Sequence, residues 1–167
     1  MKKAGFNLLT IMLVTLLFLG AQAQKKTVWD ASASTPVATF VGNVSSDYGS
    51  VVDVSSDHLI VGAPGVGKAF IYKRLAGSEE WDTTAPVATF SSSETGSKFG
   101  ASVALGAKYA IVGDPASQEV SIFSMTDGKT WSAYSTTLIS GYKDQTNFGC
   151  SVDITDYYAI VGASGAD

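Results

Sequence analysis

The chain repeats itself, and this repetition limits its possible folds more than any other feature. Three segments align without a gap: 48–64 (YGSVVDVSSDHLIVGAP), 99–115 (FGASVALGAKYAIVGDP) and 148–164 (FGCSVDITDYYAIVGAS). Each opens on an aromatic-Gly pair, Tyr48-Gly49, Phe99-Gly100 or Phe148-Gly149. Each closes on Ile-Val-Gly, ending at Gly62, Gly113 or Gly162, with Val52, Val103 and Val152 between. The similarity reaches upstream, because Pro36-Val37-Ala38-Thr39-Phe40 recurs as Pro86-Val87-Ala88-Thr89-Phe90. A period of about 50 residues therefore runs through residues 36–167.

The units read as strands. In the second copy Ser102–Leu105 alternates polar and apolar, Tyr109–Val112 is continuously apolar, and Val120–Phe123 is rich in β-formers. Gly, Asp, Pro and Ser fill the connections, and Asp127-Gly128 signals a hairpin leading into Trp131 and Tyr134. No helical period is sustained after residue 23. The expectation is an all-β chain of β-propeller-type blades, each of about four antiparallel strands, with between two and a half and three repeats present. The repeated glycines fit that expectation. Gly49, Gly100 and Gly149 stand where a side chain would block a neighbouring blade, and Gly62, Gly113 and Gly162 stand where a strand turns and the backbone needs unusual dihedrals.

Residues 1–23 read differently. Lys2 and Lys3 precede an apolar run, Leu8–Leu19, and small residues at Ala21 and Ala23 complete the pattern of a secretory signal peptide. This twelve-residue run falls short of the roughly 20 needed to cross a bilayer. Cleavage would leave about 144 residues, beginning with a linker at 24–35, with no further membrane span and a net charge moved from −4 to about −6. The expected location is outside the cytoplasm: secreted, on the cell surface or periplasmic. Acidity of this kind disfavours nucleic acid as a partner. A single cysteine, Cys150, allows no internal disulfide, and it reads as a small buried residue.

The aromatic-Gly opening and the Gly-Ala-Pro type of close resemble the FG-GAP repeat, the blade unit of the integrin α-subunit propeller and of many exported bacterial proteins. The closes here are Gly62-Ala63-Pro64, Gly113-Asp114-Pro115 and Gly162-Ala163-Ser164. The resemblance implies a propeller fold and a role in extracellular binding or adhesion. Calcium-binding members of that family carry Asp-x-Asp-x-Asp-Gly loops, because a hard cation needs several convergent oxygens. Here Asp144-Gln145-Thr146-Asn147 and Glu94 offer too few carboxylates, so no cofactor is expected in this chain, and the resemblance leaves room for calcium only in missing parts of a longer protein.

Other motifs have chemical and structural readings. Gly62-Ala63-Pro64-Gly65-Val66-Gly67-Lys68-Ala69 approaches the phosphate-cradling G-x-x-x-x-G-K-[ST] loop. It lacks the hydroxyl at Ala69, and the β-prone Phe70–Arg74 follows where a helix should open. Ser124–Trp131 resembles the Asp-box of sialidase-like propellers, with Thr126 in the place of the aspartate; there too the box is a structural hairpin. His58 aligns with Tyr109 and Tyr158, which marks a packing position. Asp53 and Asp153 share a slot with Ala104, and would pair as glycosidase carboxylates only if brought within about 5–10 Å.

No catalytic or metal residue is assigned on these readings. The expected function is non-enzymatic binding of an extracellular protein or glycan through inter-strand loops, with 65–68 and 116–119 in one loop class and 91–98 and 142–147 in another. The alternative is a glycosidase- or sialidase-like propeller hydrolase acting on extracellular polysaccharide. A closed propeller needs at least four blades. The expectation is thus a fragment of a longer protein, or a ring completed by self-association through open sheet edges.

Overall fold

A computed structural model describes residues 38–43, 45–139 and 146–165 of the chain. The segments expected to be a signal peptide (1–23) and a linker (24–35), together with Pro36-Val37 and the 142–145 part of the last loop, lie outside the described residues.

The fold is all-β. Sheet one joins β1 (Val52–Val54), β2 (His58–Ala63), β3 (Lys68–Lys73) and β4 (Ala88–Ser91) in chain order. Sheet two repeats the arrangement with β5 (Ser102–Leu105), β6 (Tyr109–Asp114), β7 (Glu119–Met125) and β8 (Trp131–Ile139). Sheet three pairs β9 (Phe148–Ile154) with β10 (Ala159–Ala163). Every pairing is antiparallel. The register of the first two strands is the same in all three sheets: Val52 faces Val61, Val103 faces Val112 and Val152 faces Val161. Among the described residues the sheets do not close into a ring.

Alternation along the strands gives each sheet two faces, and these explain the core. One core forms from the back of sheet one (Ile60, Ala69, Ile71, Phe90) against the front of sheet two (Leu105, Ala110, Val112, Trp131). The other forms from the back of sheet two (Ala104, Ile111, Val120) against the front of sheet three, where Ile154 is buried with Val152 and Val161 packed beside it. Front therefore packs on back in the same sense twice. Phe90 stacks on Phe123 of the next sheet, with ring centroids 3.6 Å apart. Phe40, at the position equivalent to Phe90, lies 4.6 Å from Tyr72, which is equivalent to Phe123. The upstream segment thus meets the front of sheet one as β4 meets the front of sheet two.

The glycines define the joints. Gly49, Gly100 and Gly149 all have left-handed φ, at 86°, 91° and 88°. A Cβ on Gly62 would strike the carbonyl oxygen of Gly100, and a Cβ on Gly113 would strike that of Gly149 and the hydroxyl of Ser102. The reason read from sequence for Gly62, Gly113 and Gly162 is corrected here. None of the three has positive φ, so each is needed for what approaches it and not for a special dihedral. The aromatic-Gly backbone of one repeat seats on the Ile-Val-Gly strand of the repeat before it. Gly49, at the start of the array, has nothing within 4 Å of a Cβ.

Burial follows the same logic. Val54, Leu105 and Ile154 are equivalent, yet they are 61%, 6% and 8% exposed, because sheets two and three have a predecessor to pack on. Ile60, Ile111 and Ile160 run the other way, at 0%, 0% and 69%, because the described part of sheet three has nothing on its back.

Candidate functional site

The sequence motifs resolve mainly into structure. Gly67 adopts the left-handed conformation at the end of a short 3-10 turn, Pro64–Val66, and Lys68 then begins β3. A strand stands where a phosphate loop would need a helix N-terminus. Asp127 Oδ1 accepts the Lys129 and Thr130 amides at 2.8 and 2.6 Å, closing the β7–β8 hairpin, and those bonds hold its pKa down at about 2. Trp131 follows, buried in the first core. His58 is buried with its ring edge-on to Trp131 at 5.7 Å; burial, then the charge on Lys73, lowers its pKa and keeps it neutral at pH 7. Cys150 departs from expectation. It is half-buried, its Sγ 3.6 Å from the Gly162 carbonyl.

Asp53 and Asp153 keep apart. Asp53 Oδ1 accepts the Val54 amide at 2.8 Å, and its Oδ2 reaches the Leu105 amide of the next repeat at 2.7 Å. Asp153 Oδ1 accepts the Ile154 amide at 2.8 Å. The Asp53 carboxylate, in register with Ile60, faces the back of sheet one at its joint with sheet two, whereas Asp153 lines a depression on the back of sheet three. Among the described residues, no three His, Cys, Asp or Glu side chains gather as a metal site.

The two candidate loop classes do come together. The β2–β3 turn (Pro64–Gly67) and the segment after β4 (Ser92, Glu94, Ser97, Lys98) form the walls of one open cleft of about 420 Å³. Gly67 holds the two loops in register through its carbonyl, which accepts the Ser92 amide at 3.1 Å. Glu94 and Lys98 expose opposite charges in one wall, and Val66 is an exposed apolar residue in the other. Glycine backbone, serine hydroxyls and one charge of each sign make a polar surface that fits hydrogen-bonding ligands.

A residue not singled out from sequence fixes this cleft. Asp114 is buried, and it replaces the alanine found at the equivalent positions 63 and 163. Its carboxylate accepts the Ser97 hydroxyl at 2.5 Å and the Lys98 amide at 2.8 Å, and also the Ser117 amide and hydroxyl at 3.2 and 3.0 Å. It ties the 91–98 loop of one repeat to the 115–118 loop of the next. A charged residue in an otherwise alanine slot was the available sequence signal.

Burial alone would raise the Asp114 pKa, but the hydrogen bonds from Ser97, Lys98 and Ser117 outweigh it and hold the carboxyl below its usual value. With the folded pKa lowered, its contribution is present above the unfolded pKa of about 3.9 and fades as pH falls through the folded value. Asp114→Ala, which leaves those donors unpaired, is expected to cost about 2–3 kcal/mol at pH 7. The difference from wild type should shrink as acid is added, a trend that thermal melts at pH 7 and pH 3 would measure.

No protein-family model matches this chain, and no curated protein matches it at a significant level. The functional reading therefore rests on the geometry and on the residues themselves.

Proposed function

We propose that this chain is an exported, non-enzymatic binding module of FG-GAP β-propeller type, its sheets serving as blades, that recognises an extracellular protein or glycan through inter-strand loops. The observation that carries the reading is the cleft between the 64–67 turn and the 92–98 segment, where two loop classes expected to bind face each other. The matching registers of the three sheets, and the front-on-back packing through aromatic-Gly pairs, support the propeller part. The hydrolase alternative calls for facing carboxylates, and Asp53 is engaged with the Leu105 amide between sheets one and two while Asp153 lines the back of sheet three.

Glycan-array binding and capture of extracellular proteins by the full chain test this reading. Glu94→Ala and Val66→Asp, both at exposed positions, should weaken binding at least tenfold with no change in melting temperature. Binding unaffected by either variant would move the site elsewhere, and release of sugar from a polysaccharide would favour the hydrolase.

A further inference from the structure

The two ends of the described array are complementary surfaces. Its back end is a seat already used twice within the chain. At the joint between sheets two and three, the Ser102 hydroxyl donates to the Gly149 carbonyl at 2.6 Å over the bare Cα of Gly113. On sheet three, Ser151 and Gly162 repeat Ser102 and Gly113, with the Ser151 side chain lying against Gly162. They line a depression of about 290 Å³ with Val152, Asp153, Ile160 and Val161. Among the described residues, no incoming glycine fills this seat.

The front end carries what such a seat takes. Gly49 already holds the left-handed φ of Gly100 and Gly149, and its amide donates to the Gly62 carbonyl at 2.9 Å as the Gly100 amide donates to Gly113. Val52 and Val54, equivalent to the packed pairs Val103/Leu105 and Val152/Ile154, are exposed. They line an apolar depression of about 460 Å³ with Phe40, Tyr48, Leu59 and Val61. The Tyr48 hydroxyl, 2.9 Å from that of Tyr72, braces its rim.

We propose that a second copy of this chain docks head to tail, the front of its sheet one seated on the back of sheet three, continuing the joint that already links one repeat to the next. In this joint the Ser151 hydroxyl donates to the Gly49 carbonyl of the second copy, and Ile160 is covered by Val52 and Val54. The three described sheets fall short of the at least about four that a closed ring needs, so between described sheets the front of sheet one meets that seat in trans. The contact is heterologous: it uses two different surfaces and leaves one of each free, so it propagates until a ring closes. One bond of the first internal joint is missing, because the Val54 amide is already held by its own Asp53 at 2.8 Å. The joint between sheets two and three lacks it too, Ala104 having no carboxylate.

Sedimentation of the full chain tests this, with variants blocked at one end. Wild type should show a mass that rises with concentration in the micromolar range. Val54→Asp and Ile160→Asp should each run as monomers alone, and an equimolar mixture should form a 1:1 dimer, because each supplies the surface the other has lost. Ser151→Ala removes one hydroxyl with no threat to folding, and should weaken association several-fold. A monomeric wild type overturns the proposal, as does association that persists in both single variants. Failure of the mixture to dimerise when each variant melts as wild type does overturns it too. Loop-directed ligand binding is read separately, so either outcome leaves that reading to its own test.

Discussion

Replacing Gly113 by alanine is expected to destabilise the protein by about 2 kcal/mol or more, although alanine is intrinsically better than glycine within a strand by roughly 0.5–1 kcal/mol. The new methyl group has nowhere to go. It meets the Gly149 carbonyl and the Ser102 hydroxyl, and one of its obstacles is backbone, so relief requires moving sheet three away from sheet two. Overpacking of this kind costs about 1–3 kcal/mol. Losing the hydrogen bond from Ser102 to Gly149 adds about 1 kcal/mol. Gly162→Ala is the internal control. There the first obstacle is the Ser151 side chain, which can rotate, so the cost should be less than half as large. Chemical denaturation of the two variants side by side reads the difference, and equal costs would contradict the role assigned to the joint.

Three equivalent isoleucines should respond unequally to truncation. Ile60→Ala and Ile111→Ala each empty a fully buried site between two sheets, and the expected losses are about 2–5 kcal/mol. Ile160→Ala, at the same position of the third repeat, should cost less than about 1 kcal/mol in dilute solution, because none of the described residues covers it. The ranking comes from each residue's neighbours, because sequence context and strand position are the same in all three. Urea midpoints at low protein concentration would measure it. Similar losses at all three sites would mean that sheet three has a cover outside the described residues.

Much of the fold was legible because repetition multiplies weak signals. Ser102–Leu105 coincides with β5, and the apolar run from Tyr109 and the β-rich run around Val120 fall in β6 and β7. Asp127-Gly128 forms the hairpin that its residue types indicate. Pattern could not separate the two reasons a strand may need glycine, left-handed dihedrals or close approach. Alignment marks Gly49 and Gly62 alike as repeated positions, and what distinguishes them is the left-handed φ of Gly49 and the Gly100 carbonyl of the next repeat lying against Gly62. The exposure of Val54 was equally hidden, since its sequence neighbourhood matches that of the buried Leu105 and Ile154.

The candidate cleft was half legible. Both loop classes were marked by their turn residues, but that the 64–67 turn faces the 92–98 segment depends on strand order, since β4 returns the chain beside β3. Asp114 escaped notice for a related reason. Its value lies in donors 16 and 17 residues upstream, at Lys98 and Ser97, brought to it by the joint between repeats.

The account stands on repeats stacked front on back, and contacts between side chains of successive sheets in solution test that most directly. In nuclear Overhauser spectra of the full chain, the rings of Phe90 and Phe123 should give strong cross-peaks, and those of Phe40 and Tyr72 should also be linked. Ile154 should show methyl contacts to Ile111 and Val120. Strand pairing within each sheet without these contacts between sheets would contradict the account.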